Sequence, residues 1–338
     1  MSCRYCKKFK KEQTFPPEIF VISSNGLNKL PDESVHVYLF LDENIHERLD
    51  KENLPPHYQE LLNWLVARNG KRISAIGSTV ALEHAHSTDN KRPKHSLDIF
   101  EDINSLILRG PGGPIRVNSS FDMARTLSAV HFSGVQVLVA MTEIAWTRKR
   151  IWENNAKLRS FRNCTDFMEW RTVAFPSVDA YASTILCIAA MMGNAEAQNC
   201  LKLNKKKDND GGKLLKNAAF DTVHLAEYLM AAAIGASNNS PRLAVFVTGD
   251  KALAQFIKNQ HFIRAKDQLV LGFEFAHPWI RRNADFLHIM EQFEICRSRG
   301  QPTATNKLGR LASTAIQDLA GKEVPEFKRL WDKIIHEL

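Results

Sequence analysis

A chain of 338 residues, 44% apolar and 24% charged, has the composition of a soluble globular protein with room for one large domain or two ordinary ones. Its 45 Lys and Arg against 37 Asp and Glu give a formal charge of +8, which favours a polyanionic partner such as nucleic acid. The longest apolar stretches, Ala182–Met192 and Tyr228–Ala236, fall short of a membrane span.

The start of the chain is polar and cationic, unlike a secretory leader, and residues 1–34 read as a basic lead-in with a short strand at Ile19–Ile22. Val35–Leu41 is a strand candidate that ends in Asp42-Glu43-Asn44. Residues 45–69 read as a helix with Leu61, Leu62, Trp64, Leu65 and Val66 on its apolar face. Ile73–Ile76 is a weaker strand, followed by STVALEHA, in which Ser78 or Thr79 caps a helix carrying Glu83.

Residues 87–118 lack a clear period and read as loop or short helix; GPGGP at 110–114 is turn chemistry, because the Lys and Ser/Thr of a phosphate-binding loop are missing. Residues 119–201 read as helical, with Trp146, Trp152 and Trp170 in apolar stripes. KLNKKKDNDGGK at 202–213 reads as a charged loop, and 214–236 as the clearest helix of the chain. LAVFVTGDKALAQF then gives a strand, a turn and a helix at 251–259; Leu269–Phe275 is a further strand candidate, and 278–338 reads as amphipathic helix.

Strands that alternate with helices imply a parallel sheet and an α/β fold. The carboxyl ends of parallel strands share one edge, where ligands bind in open α/β sheets. Asp42 and Asp250 each directly follow a strong strand and so meet at that edge. Asp250 alone reads equally well as a helix N-cap. Glu83 and Asp221 lie in apolar helical surroundings, where a buried carboxylate needs a partner or a metal.

Asp42-Glu43-Asn44, Glu83, Asp221 ahead of the small residues Ala226 and Ala231–Ala233, and Thr248-Gly249-Asp250 resemble, in order and context, the four acidic elements of the PIN-domain nucleases. The resemblance covers roughly 35–85 and 214–276. It implies a three-layer α/β/α core with a central parallel sheet over 35–276, interrupted by a helical insertion at about 87–213 and followed by a helical extension at 277–338. It implies metal-dependent hydrolysis of phosphodiester bonds, usually of RNA, with Asp42, Glu83, Asp221 and Asp250 around Mg²⁺ or Mn²⁺. Hard divalent cations take carboxylate oxygen and water, and they relieve the repulsion among clustered acids. Asn44 and Thr248 would orient carboxylates or substrate. Glu227, further along the Asp221 helix, is a weaker alternative ligand.

Arg148, Lys149, Arg150, Arg159 and Arg162, interleaved with Trp146, Trp152 and Phe161, could bind nucleic-acid phosphates, although a solvated helix face over buried tryptophans is the favoured reading. His84 and His86 are two apart and diverge on a helix, against a zinc pair. Six scattered cysteines fit reduced thiols of a cytoplasmic protein; Cys3 and Cys6 form a CxxC without a second half-site. A protein inhibitor or a second copy of the chain is a further partner class. The rival readings are a noncatalytic PIN-like scaffold that binds RNA or protein and, less well, an α/β phosphatase, whose Asp-x-Asp is absent.

Overall fold

A computed structural model describes residues 19–23, 26–27, 31–32, 34–42, 45, 54–68, 73–75, 107–110, 113–116, 123–153, 161–175, 181–203, 211–237 and 243–258, with single positions at 284, 288, 291, 310 and 314. The fold is mixed α/β and mainly helical. In chain order it contains β1 (Phe20–Ser23), β2 (Gly26–Leu27), β3 (Val37–Leu41), α1 (Pro56–Arg68), β4 (Ile73–Ala75), β5 (Ile107–Gly110) and β6 (Gly113–Arg116). Then come α2 (Met123–Glu153), α3 (Phe161–Ala174), α4 (Tyr181–Met191), α5 (Ala195–Cys200), α6 (Gly211–Ser237), β7 (Leu243–Thr248) and α7 (Lys251–Lys258).

The main sheet is five-stranded in the order β2-β1-β7-β3-β4. β3 runs parallel to both β4 and β7, so the expected parallel strands are present. The flank departs from an all-parallel sheet, because β1 pairs antiparallel with β7 and with β2. Residues of the basic lead-in thereby cover the second edge of β7, whose Ala244–Thr248 are all buried and which would otherwise present an unpaired row of backbone groups.

Residues 107–110 and 113–116, expected as loop or short helix, are instead two antiparallel strands. Ile107 pairs with Arg116 and, at the other end of the ladder, Gly110 with Gly113. Pro114 is tolerated there because a two-stranded sheet consists of edges. The helix expected over 45–69 is interrupted: Ile45 is helical, Leu54 and Pro55 are not, and α1 begins at Pro56, where two consecutive prolines set the first turn and Tyr58 and Gln59 donate their N–H groups to the Pro55 carbonyl. Leu61, Leu62, Trp64 and Leu65 form its buried face, as the spacing predicts.

The stretch expected to be helical between Glu83 and Asp221 carries α2 to α5. α6 packs along α2, α4 and β7, while α5 packs on α4 and α7. Trp146 stacks on Trp170 at 5.6 Å between centroids, with Phe167 and Phe175 closing the group. Glu143 of α2 is fully buried and ties three helices: Arg171 Nε of α3 donates to it at 3.0 Å, and Ser183 and Thr184 of α4 donate through their hydroxyls. Burial pushes its carboxyl up, while the Arg171 charge and the three donors pull the other way.

Cys164, Cys187 and Cys200 are free and buried, and burial pushes the Cys164 thiol up to about 12. These three fit the expectation of reduced thiols. No described helix is long and apolar enough to cross a membrane. The strand expected at Leu269–Phe275 and the Cys3/Cys6 pair lie outside the described residues. In the C-terminal extension, Ala284, His288, Glu291, Arg310 and Thr314 are helical and exposed.

A candidate carboxylate site at the strand ends

The parallel register pairs Phe40 with Phe246 and Leu41 with Val247. The ladder continues one step, because the Asp42 N–H donates to the Val247 carbonyl at 2.9 Å. Side chains two apart in a strand share a face. Phe40 and Phe246 both pack on Tyr228 of α6, with centroids 6.2 and 6.0 Å away. Asp42 and Thr248, two residues further on, therefore lie on the face that α6 covers. Asp221 precedes Tyr228 by seven residues, two turns along the same helical face. His224 marks the turn between them, 6.2 Å from the Phe246 ring. Strand period and helix period thus bring Asp42, Asp221 and Asp250 to one edge.

Thr248 links two of these acids. Its hydroxyl donates to Asp42 Oδ2 at 2.7 Å and accepts from the Asp250 N–H at 2.9 Å. Both Thr248 and Asp42 are buried. Asp250 divides its carboxylate between two tasks. Oδ1 accepts from the N–H groups of Ala252 and Leu253 at 2.8 and 3.0 Å, which caps α7, while Oδ2 lies 4.0 Å from Lys202 Nζ. The cap reading of this residue is realised, and its second oxygen faces Lys202.

Asp221 lies nearly three turns inside α6, which starts at Gly211, so it is no helix-start charge. Its side chain is 15% exposed, and Lys202 Nζ donates to Oδ2 at 2.6 Å. Burial pushes its carboxyl up to about 6; Lys202 opposes this, and the charges of Asp250 and Asp42 add to it. The neighbouring acids, burial and the lysine also act on the Cys200 thiol, which is pushed well up, chiefly by burial.

Lys202 was absent from the expected site, and it sits in an unusual backbone position. α4 and α5 end in the same motif. After α4, Gly193 N–H donates to Ala190 O and Asn194 N–H to Ala189 O, with Gly193 at φ 89°. After α5, Lys202 N–H donates to Asn199 O and Leu203 N–H to Gln198 O, with Lys202 at φ 54°. Both are Schellman ends, whose left-handed residue is usually glycine. A side chain with a Cβ costs roughly 1–2 kcal/mol there. Lys202 is the one non-glycine residue at positive φ among the described residues. The available signal was its flanks: Leu201 and Leu203 are both buried, so the KLNKKK run begins inside the protein rather than in a solvated loop.

Glu83, Asn44, Arg159, His84 and His86 lie outside the described residues. Glu227 is buried, about 120° round the helix from Asp221. Of the proposed phosphate-binding residues, Arg148 is buried, which takes it off any exposed face. Arg150 lies 5.1 Å above the Trp146 ring and 3.5 Å from Asp166, Lys149 is half-buried, and Arg162 is exposed.

Among the described residues no group of three or more His, Cys, Asp or Glu side chains is arranged to hold a metal ion. The donor set still suits one chemically: all three acids offer hard oxygen, and a divalent cation would relieve the charges of Asp250 and Asp42 that add to burial in pushing Asp221 up. Comparisons with protein-family models, with curated proteins and with solved structures find no match to this chain.

Proposed function

We propose that this chain is a PIN-like, metal-dependent ribonuclease that cuts RNA internally, acting inside the cell, with the α6-covered sheet as its three-layer core. The observation that carries the reading is the meeting of Asp42, Asp221 and Asp250 at the carboxyl edge of parallel strands, where burial first, and then the charges of Asp250 and Asp42, push the Asp221 carboxyl up to about 6 against the pull of Lys202. A purely structural site gains nothing from that repulsion. Asp42, Asp221 and Asp250 would hold Mg²⁺ or Mn²⁺, with Glu83 as the fourth acid. When bound, the ion supplies charge against the scissile phosphate and acidity to the attacking water. Thr248 fixes one oxygen of Asp42 through its hydroxyl, and the α7 amides fix one oxygen of Asp250, so both carboxylates are oriented before substrate arrives. The formal charge of +8 favours a polyanionic substrate.

One observation favours the noncatalytic RNA-binding scaffold instead: an ammonium already neutralises part of the cluster. The two readings separate in a cleavage assay on labelled single-stranded RNA and DNA with Mg²⁺, Mn²⁺ or EDTA. The ribonuclease reading expects metal-dependent cutting of RNA that disappears in Asp42→Asn. RNA bound but uncut under every condition establishes the scaffold.

A further inference from the structure

We infer that Lys202 is a resident counter-ion of the carboxylate site, seated against Asp221 and Asp250 in the metal-free protein and displaced when a divalent cation enters. This deepens the metal-dependent reading and rests on it. Two independent observations carry it. The first is position: Nζ is 2.6 Å from Asp221 Oδ2 and 4.0 Å from Asp250 Oδ2, so one ammonium serves two of the three acids. The second is backbone. The turn that presents it matches the turn after α4 bond for bond, yet there the left-handed residue is Gly193 and here it is a lysine. A strained position that keeps a long cationic side chain, where glycine would sit without cost, points to a task for that side chain.

The arrangement also explains why three neighbouring acids do not form a ready metal cage. An ammonium directs its protons to separate oxygens and holds Asp221 and Asp250 at hydrogen-bonding and ion-pair distances, where a cation such as Mg²⁺ needs oxygens converging at about 2.1 Å. Entry of the ion requires the lysine to leave. Lys202 is only 15% exposed, so its release is a change that solution chemistry can read. Once displaced, the ammonium stays near the carboxylate edge as a point charge suited to a substrate phosphate.

The test uses the full-length protein and an amine-acylating reagent, with labelling of Lys202 read by fragmentation mass spectrometry in EDTA and in Mn²⁺. Mn²⁺ binding is followed in parallel by electron paramagnetic resonance. Lys202 should be acylated several-fold more slowly in EDTA than in Mn²⁺, and Asp221→Asn should remove the protection. Lys202→Gly, which suits the left-handed turn, should fold and bind Mn²⁺ several-fold more tightly. If Mn²⁺ binds through Asp42 while Lys202 stays protected, or if Lys202→Gly binds no more tightly, the lysine is a static ion pair and the inference fails while the metal reading stands. Fast labelling already in EDTA also overturns it. If neither protein binds Mn²⁺, the metal reading fails, and the exchange with it.

Discussion

Asp221→Asn keeps the shape of the side chain and deletes its charge, so it isolates what that charge costs the fold. The carboxyl titrates at about 6 in the folded metal-free protein against an ordinary value of 3.8. The folded state therefore binds the proton more tightly than the unfolded state. The group's contribution to stability is full below about pH 4 and is lost as pH rises through about 6. At about 1.4 kcal/mol per tenfold change in proton affinity, the loss is about 3 kcal/mol. The side chain is only 15% exposed, so solvent screening does not erase this figure. Urea denaturation in EDTA between about pH 4 and about pH 7.5 measures it as a difference between wild type and variant, in which other titrating groups cancel. The variant should gain on the wild type by about 3 kcal/mol across that range, with no further change above it. A difference that does not vary with pH would refute the reasoning. One that moves the other way would mean that Lys202 stabilises the carboxylate by more than burial and the two acids destabilise it.

Arg171→Met should lower stability by about 3–5 kcal/mol, because Glu143 is left fully buried without its ion partner, and Glu143→Gln in the same chain should restore part of that loss in a urea titration. Asp250→Asn should keep the α7 cap while Asp250→Ala loses about 1 kcal/mol in thermal melts, with RNA cleavage abolished in both. Thr248→Val preserves shape but removes the donor to Asp42 and the acceptor for the Asp250 N–H, and should cost about 1–3 kcal/mol of unfolding free energy, whereas Thr248→Ser should stay near wild type.

The strand ends were legible because a five-residue apolar run into Thr-Gly-Asp has few alternatives, and the period of two then determines which face Asp42 and Thr248 occupy. The Asp221 helix was legible from its apolar pattern, although its start was not. Gly211-Gly212 reads as loop chemistry, and packing on α2 and α4 overrides the poor helix propensity of those glycines. The β5–β6 pair was missed because strands of four residues carry too little pattern to be told from a loop. The antiparallel partner of β7 was invisible for a different reason: sheet order depends on contacts between segments far apart in the chain. Lys202 shows the same limit at the site. A lysine in a lysine-rich run looks solvated, and only the fold reveals that its turn carries it inward to two acids.

The hydrogen bond from Thr248 to Asp42 joins residues 206 positions apart. During synthesis, Asp42 emerges long before its partner exists. The β3–β7 pairing also waits for that second strand, and it closes a loop that contains the whole helical block. No nascent fragment ending before Asp250 contains the complete carboxylate edge. The cell that makes this protein thus meets the assembled site only after nearly all of the described fold is in place, so assembly order alone withholds the site from the partly made chain.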